Sequence, residues 1–210
     1  EVISSWADEL EQRGIDHEIW AYDDGSNDGT WSILEDLVTR YPRLMVRTQI
    51  NKGHGPTILR GYKEARGEWV FQVDGDDAMG PGGFEKLWAL REGYDFLLGA
   101  RQHRRSPLWR GIITLASRLT VWALFSIRVH DVNTPYRLMR SSCLRSMLPL
   151  LPEDAFAPNL VLAGIAARQG FRIYECPISH WERKAKGGAI SCKWKFWKGA
   201  IRAFKQTVRV

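Results

Sequence analysis

Two acidic clusters stand out in the first half of the chain. One opens with Asp23 and Asp24 and runs to Thr30, and the other is Asp74-Gly75-Asp76-Asp77. Each cluster follows a short apolar run that predicts a buried strand, and parallel strands would deliver both to one edge of a sheet. Crowded carboxylates repel one another unless a cation joins them. The pattern therefore predicts a divalent metal and a phosphate-bearing ligand at that edge.

The second cluster has a spacing that suits metal binding. Asp74 and Asp76 flank a glycine on a turn, which lets both carboxylates reach one hard cation through their oxygens. Taken alone, the tripeptide is better explained as an ordinary Asp-Gly turn. The apolar strand before it and the earlier acidic cluster favour the metal interpretation.

Charge is divided unevenly between the two halves. Residues 1–100 carry 10 Lys/Arg and 19 Asp/Glu, whereas residues 101–210 carry 20 and 5, although the net charge is only +6. An acidic, metal-attracting half is thus joined to a basic, anion-attracting half. The alternative explanation is that solvated helix faces happen to differ in charge. The coincidence of the charges with motifs favours the functional explanation.

Composition limits the possible classes of protein. A chain of 210 residues that is 44% hydrophobic can bury one substantial core, so a single domain is expected. The sequence has no apolar stretch near the ~20 residues that cross a bilayer and no amino-terminal signal segment, which predicts a cytoplasmic location. Three scattered cysteines disfavour a disulfide framework and structural zinc.

The elements that must position these residues alternate along the chain. Helices are predicted over 1–13, 29–40, 57–65, 84–91 and 156–169, and strands over 18–22, 44–48, 69–73, 94–98, 136–139 and 171–176. Such alternation with short connections predicts an α/β fold, a mostly parallel sheet covered by helices on both faces. Ligands of such folds bind beyond the carboxyl ends of the strands.

The end of the chain has a distinct pattern. Residues 193–210 predict a helix with Trp194 and Trp197 on an apolar face and basic residues largely on the other. Such a helix suits an anionic membrane surface, and packing against the domain core is the alternative. The predicted organisation is therefore a domain over 1–192 followed by a basic interfacial helix over 193–210.

In their order, the motifs resemble glycosyltransferase family 2, inverting enzymes of the GT-A fold that use nucleotide sugars. Asp23 to Thr30 resembles the family's nucleotide-contacting turn, Asn51-Lys52-Gly53 with Gly55 its NxGxG loop, and Asp74-Gly75-Asp76 its metal motif. The resemblance implies Mg²⁺ or Mn²⁺ held by Asp74 and Asp76, with Asp76 catalytic. The implied nucleotide-sugar contacts are Asp23, Asp24, Ser26, Asp28, Lys52, Gly53 and Asp74. His54 lies in the same loop, and the sequence leaves equally open whether it is merely exposed or has a functional role.

The second half is similar to the polyprenyl-phosphate branch of that family, of the dolichol-phosphate mannose synthase type. Gly99 to Arg101, Asp131 to Arg137 and Glu175 to Ile178 follow that branch's order. Ala78 stands where the branch often has a glutamine metal ligand, which implies another third contact, such as water or a diphosphate oxygen. Members also begin with a strand and turn not seen here, so a first central strand is expected to be missing.

The expected chemistry assigns roles to cations in the basic half. A lipid phosphate is already anionic and needs cationic positioning more than a strong base. Arginine binds phosphate oxygens bidentately. The candidates for acceptor phosphate or diphosphate are Arg101, Arg118, Arg137, Arg183, Lys186 and Ser191, with Arg137 also catalytic. Asp131, a further catalytic candidate, could orient the acceptor, act as base towards a hydroxyl, or only cap an element.

The predicted function is transfer of a sugar from a nucleotide-diphosphate sugar to polyprenyl phosphate by an enzyme peripheral to the membrane. One alternative keeps the enzyme but changes the acceptor to a saccharide hydroxyl in polysaccharide or envelope synthesis. The other is a noncatalytic basic module that binds membrane or nucleic acid. The last leaves the acidic and glycine motifs unexplained, so no nucleic-acid partner is expected.

Overall fold

A computed structural model describes residues 1–101 and 131–178, and the elements are numbered within those residues. The helices are α1 (Val2–Gln12), α2 (Thr30–Arg40), α3 (His54–Glu64), α4 (Phe84–Leu90), α5 (Ser141–Met147) and α6 (Pro158–Arg168). The strands are β1 (Ile19–Asp23), β2 (Leu44–Thr48), β3 (Trp69–Gln72), β4 (Phe96–Arg101), β5 (Arg137–Arg140) and β6 (Ile173–Ile178). Four predicted site residues, Arg118, Arg183, Lys186 and Ser191, and the predicted helix 193–210 lie outside the described residues.

The strands form two hydrogen-bonded groups within the described residues. Strands β1 and β2 pair in parallel, and the other four form a sheet in the order β3-β5-β4-β6. In that sheet β4 and β6 are parallel, whereas β5 runs antiparallel to both of its neighbours. The prediction of a mostly parallel sheet is confirmed, but β5 is the exception. Its direction depends on the path of the chain before it, which local periodicity does not encode.

Helices cover both faces of the four-stranded sheet, as predicted. Phe96 and Leu98 of β4 point to one face, where α3, α5 and α6 supply apolar partners, and Leu97 points to the other, towards α1 and α4. This alternation follows from the two-residue period of a strand. Each face therefore has its own apolar core, and the strand ends are held between two helical layers.

The β1–β2 pair packs against α3. The Tyr22 hydroxyl donates to Glu64 over 3.0 Å, and the same ring lies against Gly61, where an added Cβ would come within 3.2 Å of it. Helix α3 also contributes Leu59 and Tyr62 to the core beside the sheet. It therefore connects the first acidic turn to the larger sheet.

One helix begins well before its predicted start, and another was not predicted. Helix α3 begins at His54, three residues before the predicted start, because a proline in the first turn of a helix costs no hydrogen bond. Helix α5, which follows β5 directly, was not predicted, and it buries Leu144 and Met147. Within residues 1–101 and 131–178, no helix has the length and apolar character needed to cross a membrane.

Candidate active site

The first acidic turn is closed by its own carboxylates. Asp23 is buried, and it accepts hydrogen bonds from the Thr48 hydroxyl and the Ser26 backbone N–H, each over 3.2 Å. Asp28 accepts the backbone N–H and hydroxyl of Thr30 at the start of α2, and the hydroxyl bond in particular lowers the pKa of its carboxyl. The side chains of Asp23 and Asp28 thus shape the turn, while Ser26 is exposed at its surface.

Asp24 joins this turn to the loop after β2. One carboxylate oxygen accepts Nε2 of Gln49 at 2.7 Å and the backbone N–H of Lys52 at 2.9 Å. The other accepts the backbone N–H of Gly53 at 2.8 Å. Burial alone would raise the pKa of Asp24, but these hydrogen bonds to the ionised form outweigh it and lower the pKa. The structure therefore brings together the two predicted nucleotide-binding segments through Asp24.

Gly55, at the start of α3, lies against the segment before α6. A Cβ placed on Gly55 would come within 1.9 Å of the Ala155 carbonyl oxygen, far inside van der Waals contact. Only glycine permits this approach of one backbone to another. The loop that holds Lys52 and Gly53 is thus anchored by Asp24 on one side and by Ala155 on the other.

The second acidic turn is exposed. Asp76 accepts the backbone N–H of Ala78 over 3.1 Å, and Asp77 adopts a left-handed conformation with φ 58°, which aspartate tolerates better than most residues. Ala78 itself is buried in the apolar cluster that includes Trp6. A methyl group in that cluster cannot serve as a metal ligand, so this position supplies no third metal contact.

Asp74 is the electrostatic centre of the site. Burial raises the pKa of its carboxyl, and the neighbouring Asp76 carboxylate raises it further. His54, Arg101 and Arg137 act in the opposite direction, and Nε2 of His54 lies 3.9 Å from Oδ1 of Asp74. Predicted residues from three separate motifs therefore share one electrostatic neighbourhood.

The two carboxylates fit a divalent cation by their chemistry. They are oxygen donors, and a bound cation would offset both the burial of Asp74 and the charge of the neighbouring Asp76, which together raise the pKa of Asp74. Across the described parts of the chain, no group of three or more His, Cys, Asp or Glu side chains is assembled to hold a metal. Asp74 and Asp76 would therefore need further ligands.

Arg101 and Asp131, predicted to have separate roles, are paired with each other. Nε and Nη2 of Arg101 lie 2.5 and 2.8 Å from the two Asp131 carboxylate oxygens, and both side chains are only 14% exposed. Glu175 in turn accepts the backbone N–H of Asp131 over 2.6 Å. A bidentate pair of this kind fixes the orientation of both side chains. In this arrangement Asp131 orients the Arg101 guanidinium.

Arg137, predicted to contact phosphate, is fully buried. Its guanidinium donates to three main-chain carbonyls, those of Val132, Thr134 and Asn159, at distances from 2.7 to 3.1 Å. Burial also lowers the pKa of Arg137. Its guanidinium therefore faces the protein interior, and its contact with phosphate stays a prediction. In the structure Arg137 holds the loop before β5 against α6.

The sequence motifs did not predict a buried polar cluster near Asp74. The Tyr62 hydroxyl of α3 contacts Oε1 of Gln72 and lies 3.0 Å from Oδ1 of Asn159, and burial raises the pKa of Tyr62. Gln72 ends β3, two residues before Asp74, and Asn159 lies in the first turn of α6. Polar residues at otherwise apolar positions of a strand and a helix were the available signal. The cluster ties three elements together directly below the acidic turn.

Comparison with known proteins gives a consistent result. Residues 2–146 match the family model described as Glycosyl transferase family 2. An undecaprenyl-phosphate 4-deoxy-4-formamido-L-arabinose transferase from Pseudomonas paraeruginosa is 29% identical over 171 residues, which are 79% of this chain and 48% of the relative. A dolichol-phosphate mannosyltransferase from Pyrococcus furiosus is 29% identical over 129 residues, 59% of this chain and 36% of the relative. The chain thus spans about half the length of the first relative and about a third of the second.

Solved structures resemble the chain in fold. Glucosyl-3-phosphoglycerate synthase from Mycobacterium tuberculosis, in complex with Mn²⁺, uridine diphosphate and glucosyl-3-phosphoglycerate, superposes with a TM-score of 0.69 at 16% identity, covering 99% of this chain and 74% of that one. A mannosyltransferase from Pyrobaculum calidifontis in complex with GDP-Man and Mn²⁺ has a TM-score of 0.63 at 18% identity, covering 92% and 55%. At these identities the likeness concerns the fold.

Proposed function

The chain belongs to glycosyl transferase family 2 and has the GT-A fold, and we propose that it transfers a sugar from a nucleotide-diphosphate sugar to a polyprenyl phosphate. The observation that carries this proposal is the shared electrostatic neighbourhood of Asp74, Asp76 and Arg101. A metal diphosphate and an anionic acceptor could meet there. The names of the two relatives, an undecaprenyl-phosphate and a dolichol-phosphate transferase, support this acceptor class.

Mg²⁺ or Mn²⁺ would be held by Asp74 and Asp76. When bound, the ion would stabilise the negative charge that develops on the leaving diphosphate, in place of an acid catalyst. The chain's own part is to present the two carboxylates at the end of β3. The Mn²⁺ complexes of the two structural neighbours support a divalent metal for this fold.

The donor nucleotide would lie against the first acidic turn and the loop after β2. In the structure Asp23, Asp24 and Asp28 shape these segments through internal hydrogen bonds, whereas Ser26 and Lys52 are exposed. Of the predicted contacts, Ser26 and Lys52 are therefore best placed to touch a nucleotide, whereas the backbone N–H of Gly53 is already held by Asp24. Asp23, Asp24 and Asp28 would act by holding that surface in place.

Arg101 would bind the acceptor phosphate or the diphosphate. Its pairing with Asp131 fixes the guanidinium plane within electrostatic reach of Asp74, which is pre-organisation for a phosphate anion. Because the lipid phosphate is already anionic, no strong base is needed, and the paired state of Asp131 agrees with that. Arg118, Arg183, Lys186 and Ser191 stay sequence-based candidates for the same anions.

The chain would work at a membrane surface on the cytoplasmic side, with the basic segment 193–210 as its contact. This part of the proposal depends on the sequence pattern alone. Family membership does not favour a noncatalytic membrane- or nucleic-acid-binding module.

A product assay would test the proposal. The full chain is supplied with GDP- and UDP-sugars, Mg²⁺ or Mn²⁺ and a short polyprenyl phosphate, and glycolipid is sought by mass spectrometry. A sugar-phosphate-polyprenol product is the expected outcome. Transfer only to saccharide hydroxyls would instead favour the polysaccharide alternative, and lipid binding without nucleotide-sugar binding would favour the noncatalytic module.

The variant Asp131→Asn separates the two acceptor classes. With a phosphate acceptor we expect activity within about tenfold of the original chain, because Asp131 only orients Arg101 and the amide keeps one hydrogen bond to it. With a hydroxyl acceptor a required base would be lost, and activity would fall by roughly 10²-fold or more. The rate with each acceptor therefore decides whether Asp131 orients Arg101 or removes a proton.

A further inference from the structure

His54, the first residue of α3, faces the second acidic turn. We propose, resting on the metal-dependent function above, that His54 is the third protein ligand of the divalent ion held by Asp74 and Asp76. Neither the acidic motif nor the glycine loop assigns a metal-binding role to this position, and Ala78 cannot provide one.

The distance between His54 and Asp74 fits two ligands of one ion. Nε2 of His54 and Oδ1 of Asp74 are 3.9 Å apart, too far for a hydrogen bond. Donor atoms about 2.1 Å from a shared ion lie about 3.0 Å apart in adjacent positions and about 4.2 Å apart in opposite ones. The observed separation lies between these two values, so rotation of the side chains would bring both atoms to one ion.

His54 is presented by a loop that is fixed on both sides. The backbone N–H of Gly53 is held by Asp24, and Gly55 is pressed against the Ala155 carbonyl. The His54 side chain is 65% exposed, so its ring is not committed to the core. A fixed backbone that carries an accessible imidazole is what a metal site requires of a ligand.

The third member of the set, Asp76, must turn towards the pair when the ion binds. The described residues hold no preassembled group of three ligands. Asp76 lies on an exposed turn and makes one hydrogen bond, to the Ala78 backbone N–H. Closing the site therefore needs rotation of one exposed side chain, together with water or diphosphate oxygens for the remaining positions.

An imidazole ligand has a consequence for metal preference. Mg²⁺ prefers oxygen ligands, whereas imidazole nitrogen suits the transition metals and raises their affinity relative to Mg²⁺. We therefore expect His54 to favour Mn²⁺ over Mg²⁺. A simple ionic contact between His54 and Asp74 would not discriminate between the two ions in this way.

Pulsed electron paramagnetic resonance of bound Mn²⁺ tests the proposal directly. Coordinated imidazole produces ¹⁴N modulation of the Mn²⁺ spin echo, and an oxygen ligand does not. The full chain is loaded with Mn²⁺ and UDP or GDP, and His54→Gln is compared with the control His17→Gln. His17 contacts the Ile15 carbonyl before the start of β1, at the end of that strand opposite the acidic turn.

The expected result is ¹⁴N modulation in the original chain and in His17→Gln, and its loss in His54→Gln with Mn²⁺ still bound. Titration should show Mn²⁺ affinity weakened about tenfold or more by His54→Gln, with a smaller effect on Mg²⁺. His54→Lys keeps a positive charge and cannot ligate while protonated. It should match His54→Gln if coordination is what matters and match the original chain if charge is what matters. Far-ultraviolet circular dichroism verifies that each variant is folded.

Three results would overturn the proposal. Bound Mn²⁺ without ¹⁴N modulation in the original chain would remove His54 as a ligand and leave the transferase function standing. Modulation that persists in His54→Gln would assign the nitrogen to another residue. Failure of the original chain to bind Mn²⁺ or Mg²⁺, even with nucleotide, would remove both this proposal and the metal-dependent mechanism.

Discussion

The acidic turn after β3 and the buried network around Arg137 belong to one site but are built on opposite principles. Around Arg137 the guanidinium is matched to main-chain carbonyls and is sealed from solvent. At the turn, burial and the neighbouring Asp76 carboxylate raise the pKa of Asp74, and His54, Arg101 and Arg137 offset this only in part. A buried polar network with all its hydrogen bonds made stabilises the fold, whereas a site with uncompensated charge is suited to binding a ligand.

The largest effect expected from this contrast is on activity. Replacing Asp76 by alanine should reduce sugar transfer on the order of 10³-fold, about 4 kcal/mol of transition-state stabilisation, because the leaving diphosphate loses its metal. The thermal midpoint should change little, since Asp76 is exposed. Steady-state kinetics and thermal unfolding of the same sample measure both. An active Asp76→Ala variant would contradict the metal role.

Replacing Arg137 should have the reverse profile. Arg137→Met removes the hydrogen bonds that the guanidinium donates to the buried Val132, Thr134 and Asn159 carbonyls and should reduce the free energy of unfolding by about 3 kcal/mol. Urea denaturation measures this, with Arg145→Met on the exposed side of α5 as the control. If Arg137→Met kept its stability and lost only activity, Arg137 would be a ligand contact after all.

Gly55, which packs against the Ala155 carbonyl, provides a further test of how the site is held in place. Gly55→Ala should destabilise the fold by about 2 kcal/mol, because its Cβ would overlap the Ala155 carbonyl and the backbones must separate. Gly82→Ala is the matched control, since a Cβ there meets nothing within 4 Å. Equal stability of the two variants in urea would show that the loop is not anchored in this way.

The smallest expected effect is a dependence of stability on pH. Because the pKa of Asp74 is raised in the folded state, the metal-free fold gains stability from its proton at low pH and loses it as the pH rises through that raised pKa. Asp74→Asn stays neutral, so it should be the more stable protein at neutral pH and equal to the original chain in acid.

Thermal midpoints across the pH range measure this difference. Added Mn²⁺ should raise the midpoint of the original chain, with a larger effect at higher pH because the proton must leave, and should not affect Asp74→Asn. If the thermal midpoints of the two metal-free proteins changed equally with pH, the pKa of Asp74 would not be raised in the folded state.

Local sequence signals predicted most of the elements. Strand β2 was predicted at its observed bounds, and α2 and β3 to within one residue, because hydrophobic period and caps act over a few neighbouring residues. The two acidic turns were likewise predicted at strand ends. Helix α5 was missed, since it follows β5 with no intervening turn signal.

The sequence by itself determined the family motifs, the order of helices and strands, and the chemical types available to the site. Tertiary structure alone decided which charges meet. It buried Arg137, paired Arg101 with Asp131, reversed β5 and placed His54 beside Asp74. These outcomes join residues from distant parts of the chain, and their geometry depends on packing that no local pattern records.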